Sequence, residues 1–209
     1  MPLPRRSHRS MGALLVLTLV PLSLRGESEP PKEPTWSKPE LRQELLEMRD
    51  ADQALRARFL TDPTTHGPEL AALDGRHTER AREILDEHGW PSVQQIGAEG
   101  SEALWLILQH SPDHELQRQA LPLMKEAANR GDLDRPSVAL TIDRVRMHAG
   151  EPQVYGSQFH QVDGEWVVWA IEDEEHLDEL RRDMGLGPFE EYRKQVLEMM
   201  SPGPEAEPD

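Results

Sequence analysis

Residues 101–112 read Ser-Glu-Ala-Leu-Trp-Leu-Ile-Leu-Gln-His-Ser-Pro. From Ala103 to Leu108 every residue is apolar. A helix built from such a run is apolar on all sides, so it predicts a central buried helix with Ser101 as its cap. Ser111-Pro112 then reads as the start of the next helix, a hydroxyl cap followed by proline at the first helical position. That helix buries Leu116, Ala120, Leu123 and Ala127, holds Pro122, which predicts a kink, and stops at Gly131.

Working outward, Leu41, Leu45, Met48, Leu55 and Phe59 form one helical stripe, ended by Pro63 and Gly67-Pro68. Leu70, Leu73, Ala81 and Ile84 form a second, closed by Gly89 and Pro91. Pro136 opens a further helix through Val138, Ile142 and Val145. The period then changes to two. Val154–His160 and Glu165–Ala170 flank Asp163-Gly164, a strong hairpin turn, with Phe159 expected opposite Val168 and Gln158 opposite Trp169. Two strands are marginal alone, so the hairpin should lie on the helices. A helix capped by Asp173 and one carrying Tyr192 and Val196 complete the chain. The expected class is mainly α: an irregular multi-helix domain with one small β-hairpin packed on it.

The chain has 209 residues, no cysteine, and a formal net charge of −16. Lack of cysteine excludes disulfides, thiolate metal sites and cysteine nucleophiles. Strong acidity disfavours nucleic acid and anionic lipid as partners. Residues 1–26 read as a signal peptide, a basic start with Arg5, Arg6 and Arg9 followed by a short apolar run. Export to the periplasm or beyond follows, with no stable membrane span after cleavage; an uncleaved signal anchor is the alternative. Residues 27–39 and 201–209 are Pro/Glu-rich and read as linker and tail, leaving 40–200 as the domain.

Functional candidates come from polar residues on apolar faces. At 100° per residue, Asp52 falls about 20° from Leu41, inside the first stripe. An unpartnered carboxylate there would cost several kcal/mol. His77 and His88 lie within about 20° of the second stripe's centre; His88 suits the helix C-terminus, and His77 is a core histidine or a ligand contact. Gln109 and His110 are the first polar side chains after the apolar run, beside backbone N–H groups of the next helix that would suit an anion. Gln117 falls in the apolar arc of that helix. Asp143 and Arg144 sit between apolar neighbours and read as an internal ion pair. Tyr155-Gly156-Ser157-Gln158 places small and polar residues in an expected strand, as a bulge, an edge or a ligand approach. Motifs for a nucleophile elbow, a phosphate-binding glycine loop, a zinc helix or a calcium loop are absent, so neither cofactor nor metal is expected.

The ordered pieces Asp52-Gln53, His88-Gly89-Trp90-Pro91, Gln109-His110, Leu121-Pro122-Leu123-Met124, Asp143-Arg144-Val145 and Gln153 through Gln158 resemble an uncharacterised bacterial domain family of unknown function. The resemblance spans about residues 40–195 and implies a helical domain, with no activity to carry over. Members of that family often have Asn where His77 stands, which weakens a catalytic role for it.

Three functions stand at this point. A pocket of His77, Gln109, Gln117, Asp143, Tyr155, Ser157 and Gln158 binds a small polar ligand or a peptide or protein partner. Alternatively the protein is a hydrolase or lyase with His110 as general acid or base, oriented by Asp52 or Asp143. The third reading is a structural domain in which these groups only fix helix packing. Convergence of His110, Asp52 and Gln158 would favour the first two, and a His–carboxylate contact would favour chemistry.

Overall fold

A computed structural model describes residues 35–200. The expected signal peptide and tail lie outside the described residues, as does most of the expected linker. Seven helices and one antiparallel hairpin are formed among the described residues: α1 (Pro39–Thr61), α2 (Pro63–His88), α3 (Val93–His110), α4 (His114–Arg130), α5 (Arg135–His148), β1 (Phe159–Val162), β2 (Glu165–Val168), α6 (Leu177–Asp183) and α7 (Phe189–Met200). The mainly α class with a small hairpin is what the periodicities predict.

Helix α3 is the centre. Ala103, Leu104, Trp105, Ile107 and Leu108 are all buried, and α1, α2 and α4 pack against it. Its start lies earlier than Ser101. Ser92 and Gln95 form a capping box at Val93, and the helix breaks at Gly97, where φ is 73°. A side chain at Gly97 would stand 3.1 Å from the Trp36 ring, which packs on this break. Just after Trp36, Ser37 and Lys38 donate their backbone N–H groups to the Gln94 and Gln95 carbonyls. Ser101 is freed from capping. Its hydroxyl accepts from the Trp90 indole at 2.8 Å and donates to the Asp132 carbonyl at 2.6 Å. The His88-Gly89-Trp90-Pro91 piece is thereby a corner: Gly89 takes φ 62° after α2, and Trp90 is buried.

Proline placement differs from expectation. Pro63 opens α2 rather than closing α1, because the first helical position has no N–H to satisfy; Asp62 caps it by accepting from Thr65. Pro68 is carried inside α2 near its start. Helix α4 begins at His114, and its cap is Asp113, which accepts from the Leu116 N–H at 2.9 Å. A carboxylate is the stronger acceptor for free helix N–H groups, so Ser111 does not cap.

The hairpin has the expected register, Phe159 opposite Val168, with the Trp169 N–H donating to the Gln158 carbonyl. Asp163 and Gly164 both take positive φ, 52° and 91°, as a two-residue turn requires. Residues 154–158 are not strand. Gly156 sits at φ 69° with Phe189 of α7 directly over it, so the chain bends there instead of pairing.

Candidate functional site

Three helices deliver one buried polar cluster. On α1, Asp52 and Arg56 are one turn apart; on α2, Asp74, His77 and Thr78 share a face; at the end of α3 stands His110. Asp52 is fully buried, with Arg56 and His110 at 1% and 6% exposure. The His110 Nδ1 lies 2.8 Å from Asp52 Oδ2. Arg56 Nε lies 2.9 Å from Asp52 Oδ1, and Arg56 Nη2 donates to Asp74 Oδ1 at 2.5 Å. Gln53 also donates to Asp52 Oδ2, at 2.8 Å. A continuous chain results: Asp74, Arg56, Asp52, His110.

Arg56 Nε is also 2.9 Å from His110 Nδ1. Nδ1 cannot both carry a proton and accept one. A bare Nδ1 lone pair facing a carboxylate oxygen at 2.8 Å would be repulsive, so the proton sits on Nδ1 and is donated to Asp52. The Arg56 Nε–H then belongs to Asp52 Oδ1. Nε2 of His110 is left with a lone pair, and it is buried with no hydrogen-bond partner among the described residues. Burial pushes the His110 imidazole down to about 4, against the pull of Asp52, with Arg56 and Arg144 pushing the same way as burial. Burial alone would raise the Asp52 carboxyl, but the His110 contact and the Arg56 charge outweigh it and hold it low. At neutral pH the pair is a carboxylate and a neutral imidazole. Asp74, half-buried and close to the Asp52 charge, is pushed up to about 6 despite its Arg56 partner.

Arg144 of α5 comes to the same place. Trp105 and Gln109 of α3 bond Thr141 of α5, at 3.2 and 3.4 Å. Further along, His114 stacks on His148 with ring centroids 3.4 Å apart. Arg144 lies between Thr141 and His148 on that helix, and its charge acts on the His110 imidazole. It is 6% exposed, and neither a hydrogen bond nor an ion pair to it occurs among the described residues.

The expected Asp143–Arg144 pair is not formed. Neighbouring residues on a helix point about 100° apart, so the two serve different faces. Asp143 accepts the backbone N–H groups of Val154 at 2.8 Å, Tyr155 at 3.0 Å and Ser157 at 2.9 Å. It anchors the loop before the hairpin, where Gln158 donates its amide to Ser157 Oγ at 3.0 Å. Gln153 ties the same loop to the hairpin through the Gln158 N–H and the carbonyls of Gln158 and Trp169. Arg181 donates to the Tyr155 carbonyl, and Tyr192 to that of Ser157. Tyr155, Ser157, Gln158 and Asp143 thus assemble, but around a loop rather than around His110. Gln117 donates to the carbonyls of Leu108 and Ser111, closing the end of α3, and Gln109 accepts from Thr141. His77 is half-buried near the cluster, with Nδ1 unpartnered among the described residues; burial lowers its basicity and the Asp52 charge partly restores it. Ser111 accepts from Thr78 at 2.9 Å. The helix N-terminus beside His110, expected to suit an anion, is filled by Asp113, which Arg82 also holds at 2.5 Å.

Sequence reasoning missed Arg56, although its position one turn after Asp52 signals a pair. It also missed Asp74 as a member of the cluster and Arg144 as an unpaired cation. Among the described residues no group of three or more His, Asp or Glu side chains could hold a metal ion, and no helix is long and apolar enough to cross a membrane. A groove of about 530 Å³ runs between the hairpin and α7, past Trp166, Trp169 and Phe189, and a second of about 280 Å³ lies beside Asp132 and Ser137. Neither is lined by His110.

Fold and cluster together define a helical domain with a buried, charge-coupled Asp–His pair. The chain belongs to the Family of unknown function (DUF6624), which matches residues 39–201. No curated protein and no solved structure matches it.

Proposed function

We propose that the domain binds a small polar molecule at the end of α3 and acts on it through His110 as general base, as a hydrolase or a lyase. The observation that carries this reading is the Asp52–His110 contact with Nε2 left unpartnered. Asp52 fixes the tautomer and the ring plane, so the free lone pair points in one direction. In such a reaction Nε2 takes a proton from water or from the substrate. The imidazolium then holds one proton on each nitrogen, stabilised by Asp52, and returns the Nε2 proton to the leaving group. Burial holds His110 at about 4, so at neutral pH the imidazole is neutral and its Nε2 lone pair carries no proton.

Recognition without chemistry is the second reading. The 6% exposure of His110 favours it, since a general base must be reached by its substrate. The leader at residues 1–26 supports action outside the cytoplasm, on a molecule met there.

Two measurements test the enzymatic reading. Nitrogen NMR of the histidines at neutral pH should show His110 protonated on Nδ1 only; a proton on Nε2 would remove its capacity as a base. Panels of esters, amides, phosphoesters and hydroxy acids should then reveal turnover that His110→Asn abolishes, since Asn keeps a donor toward Asp52 and lacks the lone pair.

A further inference from the structure

We propose that Arg144 is an oxyanion-binding residue, so that the ligand of the His110 site carries a carboxylate or phosphate group beside the group that gives up its proton. This inference rests on the reading of that site as a ligand site and names the chemical class of the ligand. Arg144 is buried, its Nε has no partner among the described residues, and no carboxylate of the described residues is paired with it. A guanidinium without an anion is costly here, because at Nε the lost hydration is replaced by nothing. The nearby acids are already committed. Asp52 and Asp74 hold Arg56 between them, and Asp143 is turned away to three backbone N–H groups.

The titratable groups that Arg144 acts on electrostatically are Arg56 from α1, His110 from α3, His148 from its own helix and Tyr192 from α7. None offers a negative charge at neutral pH: Arg56 is a cation, burial pushes both imidazoles down to about 4, and burial pushes the Tyr192 phenol up to about 12. Helix α5 thus holds a positive charge within electrostatic reach of His110, whose Nε2 lone pair is bare. A planar fork of N–H donors matches a carboxylate or phosphate, and the lone pair matches an O–H or an activated C–H. One small molecule carrying both groups would satisfy both orphans at once.

The test uses the full chain with inorganic phosphate and acetate as probes, against chloride at matched ionic strength. Binding at Arg144 should raise the melting temperature above the chloride control and shift the Arg144 Nε–H and His110 NMR signals. Phosphate alone acting would specify a phosphoryl group, and acetate acting would specify a carboxylate. Arg144→Met should lose the oxyanion effect. Without oxyanion it should melt about 3 °C above the wild type, because the uncompensated charge is gone. Arg144→Lys, which keeps the charge and loses the fork, should bind about tenfold more weakly. The proposal is overturned if phosphate and acetate do no more than chloride, or if Arg144→Met responds like the wild type. Were Arg144→Met not to fold, an unmoved Arg144 signal in the wild-type titration would overturn it equally. The two readings fail separately. An oxyanion-insensitive protein with the Nδ1–H tautomer intact rejects the oxyanion role alone. The wrong tautomer with oxyanion binding intact rejects the base alone.

Discussion

At Asp52 one carboxylate does two jobs, and substitutions can separate them. It neutralises Arg56, and it orients His110. Asp52→Asn keeps the shape and removes the charge, leaving Arg56 with Asp74 only. Breaking a buried pair in this way should destabilise the protein by about 3 kcal/mol, read from urea unfolding. The His110 Nδ1–H signal should move upfield as its anionic acceptor disappears. His110→Asn should behave differently. Its side-chain amide still donates to Asp52, so the melting temperature should stay close to wild type, while any turnover should fall by about 10²-fold or more. A large stability loss in His110→Asn would show the imidazole to be chiefly a packing group.

At the level of elements, the loop before the hairpin is built by convergence on α5. Three backbone N–H groups meet one carboxylate at Asp143, in the manner of a cap, though no helix starts there. Asp143→Ala would leave those donors buried and unmet, at a cost of about 3 kcal/mol measured by chemical denaturation. Protection of the Tyr155 and Ser157 amides from hydrogen exchange should fall with it. Gly156 is the second fixed point of this loop. Its φ is 69°, and a Cβ there would come within 2.7 Å of the Phe189 ring. Gly156→Ala should therefore destabilise by about 2 kcal/mol, from backbone strain and displacement of α7. If hydrogen exchange in α7 were unchanged in that variant, the seating of Phe189 on the loop would not be what holds α7.

For the whole molecule, the buried imidazoles set the response to acid. His110 and His148 are both held at about 4 by burial, against an ordinary value of 6.5. Between those values the unfolded chain takes up protons that the folded protein refuses. Stability is therefore full above pH 6.5 and is lost as the pH falls towards 4. Asp74 acts in the opposite sense. Raised to about 6 from 3.8, it binds a proton in the folded state first, so acidification through pH 6 relieves a burial cost. Among the most strongly shifted groups the two imidazoles outweigh the one carboxylate; His77, also lowered, acts with them, Glu102 and Asp143, both raised, act with Asp74, and Asp52, held low, adds a further loss only in stronger acid. Urea midpoints at about pH 7 and about pH 4.5 should differ, with the acidic midpoint lower. His110→Asn should reduce that difference; an equal midpoint at both values would contradict the protonation states assigned here.

The helices, the hairpin register and the inward aim of Asp52 were legible in the amino-acid order. Each rests on a local period, 3.6 or 2, or on turn chemistry such as Asp163-Gly164. Competition among caps was less legible: Ser111 and Asp113 both suit a helix start, and the carboxylate takes it. Pairing between elements was decided by the tertiary structure alone. Asp143 and Arg144 are neighbours in the chain yet point to different places, whereas Asp52 and His110, 58 residues apart, are joined by a hydrogen bond. Periodicity states which side of a helix a charge is on. Only the packing of α1, α2, α3 and α5 determines which other charge it finds there, and which, like Arg144, finds none among the described residues.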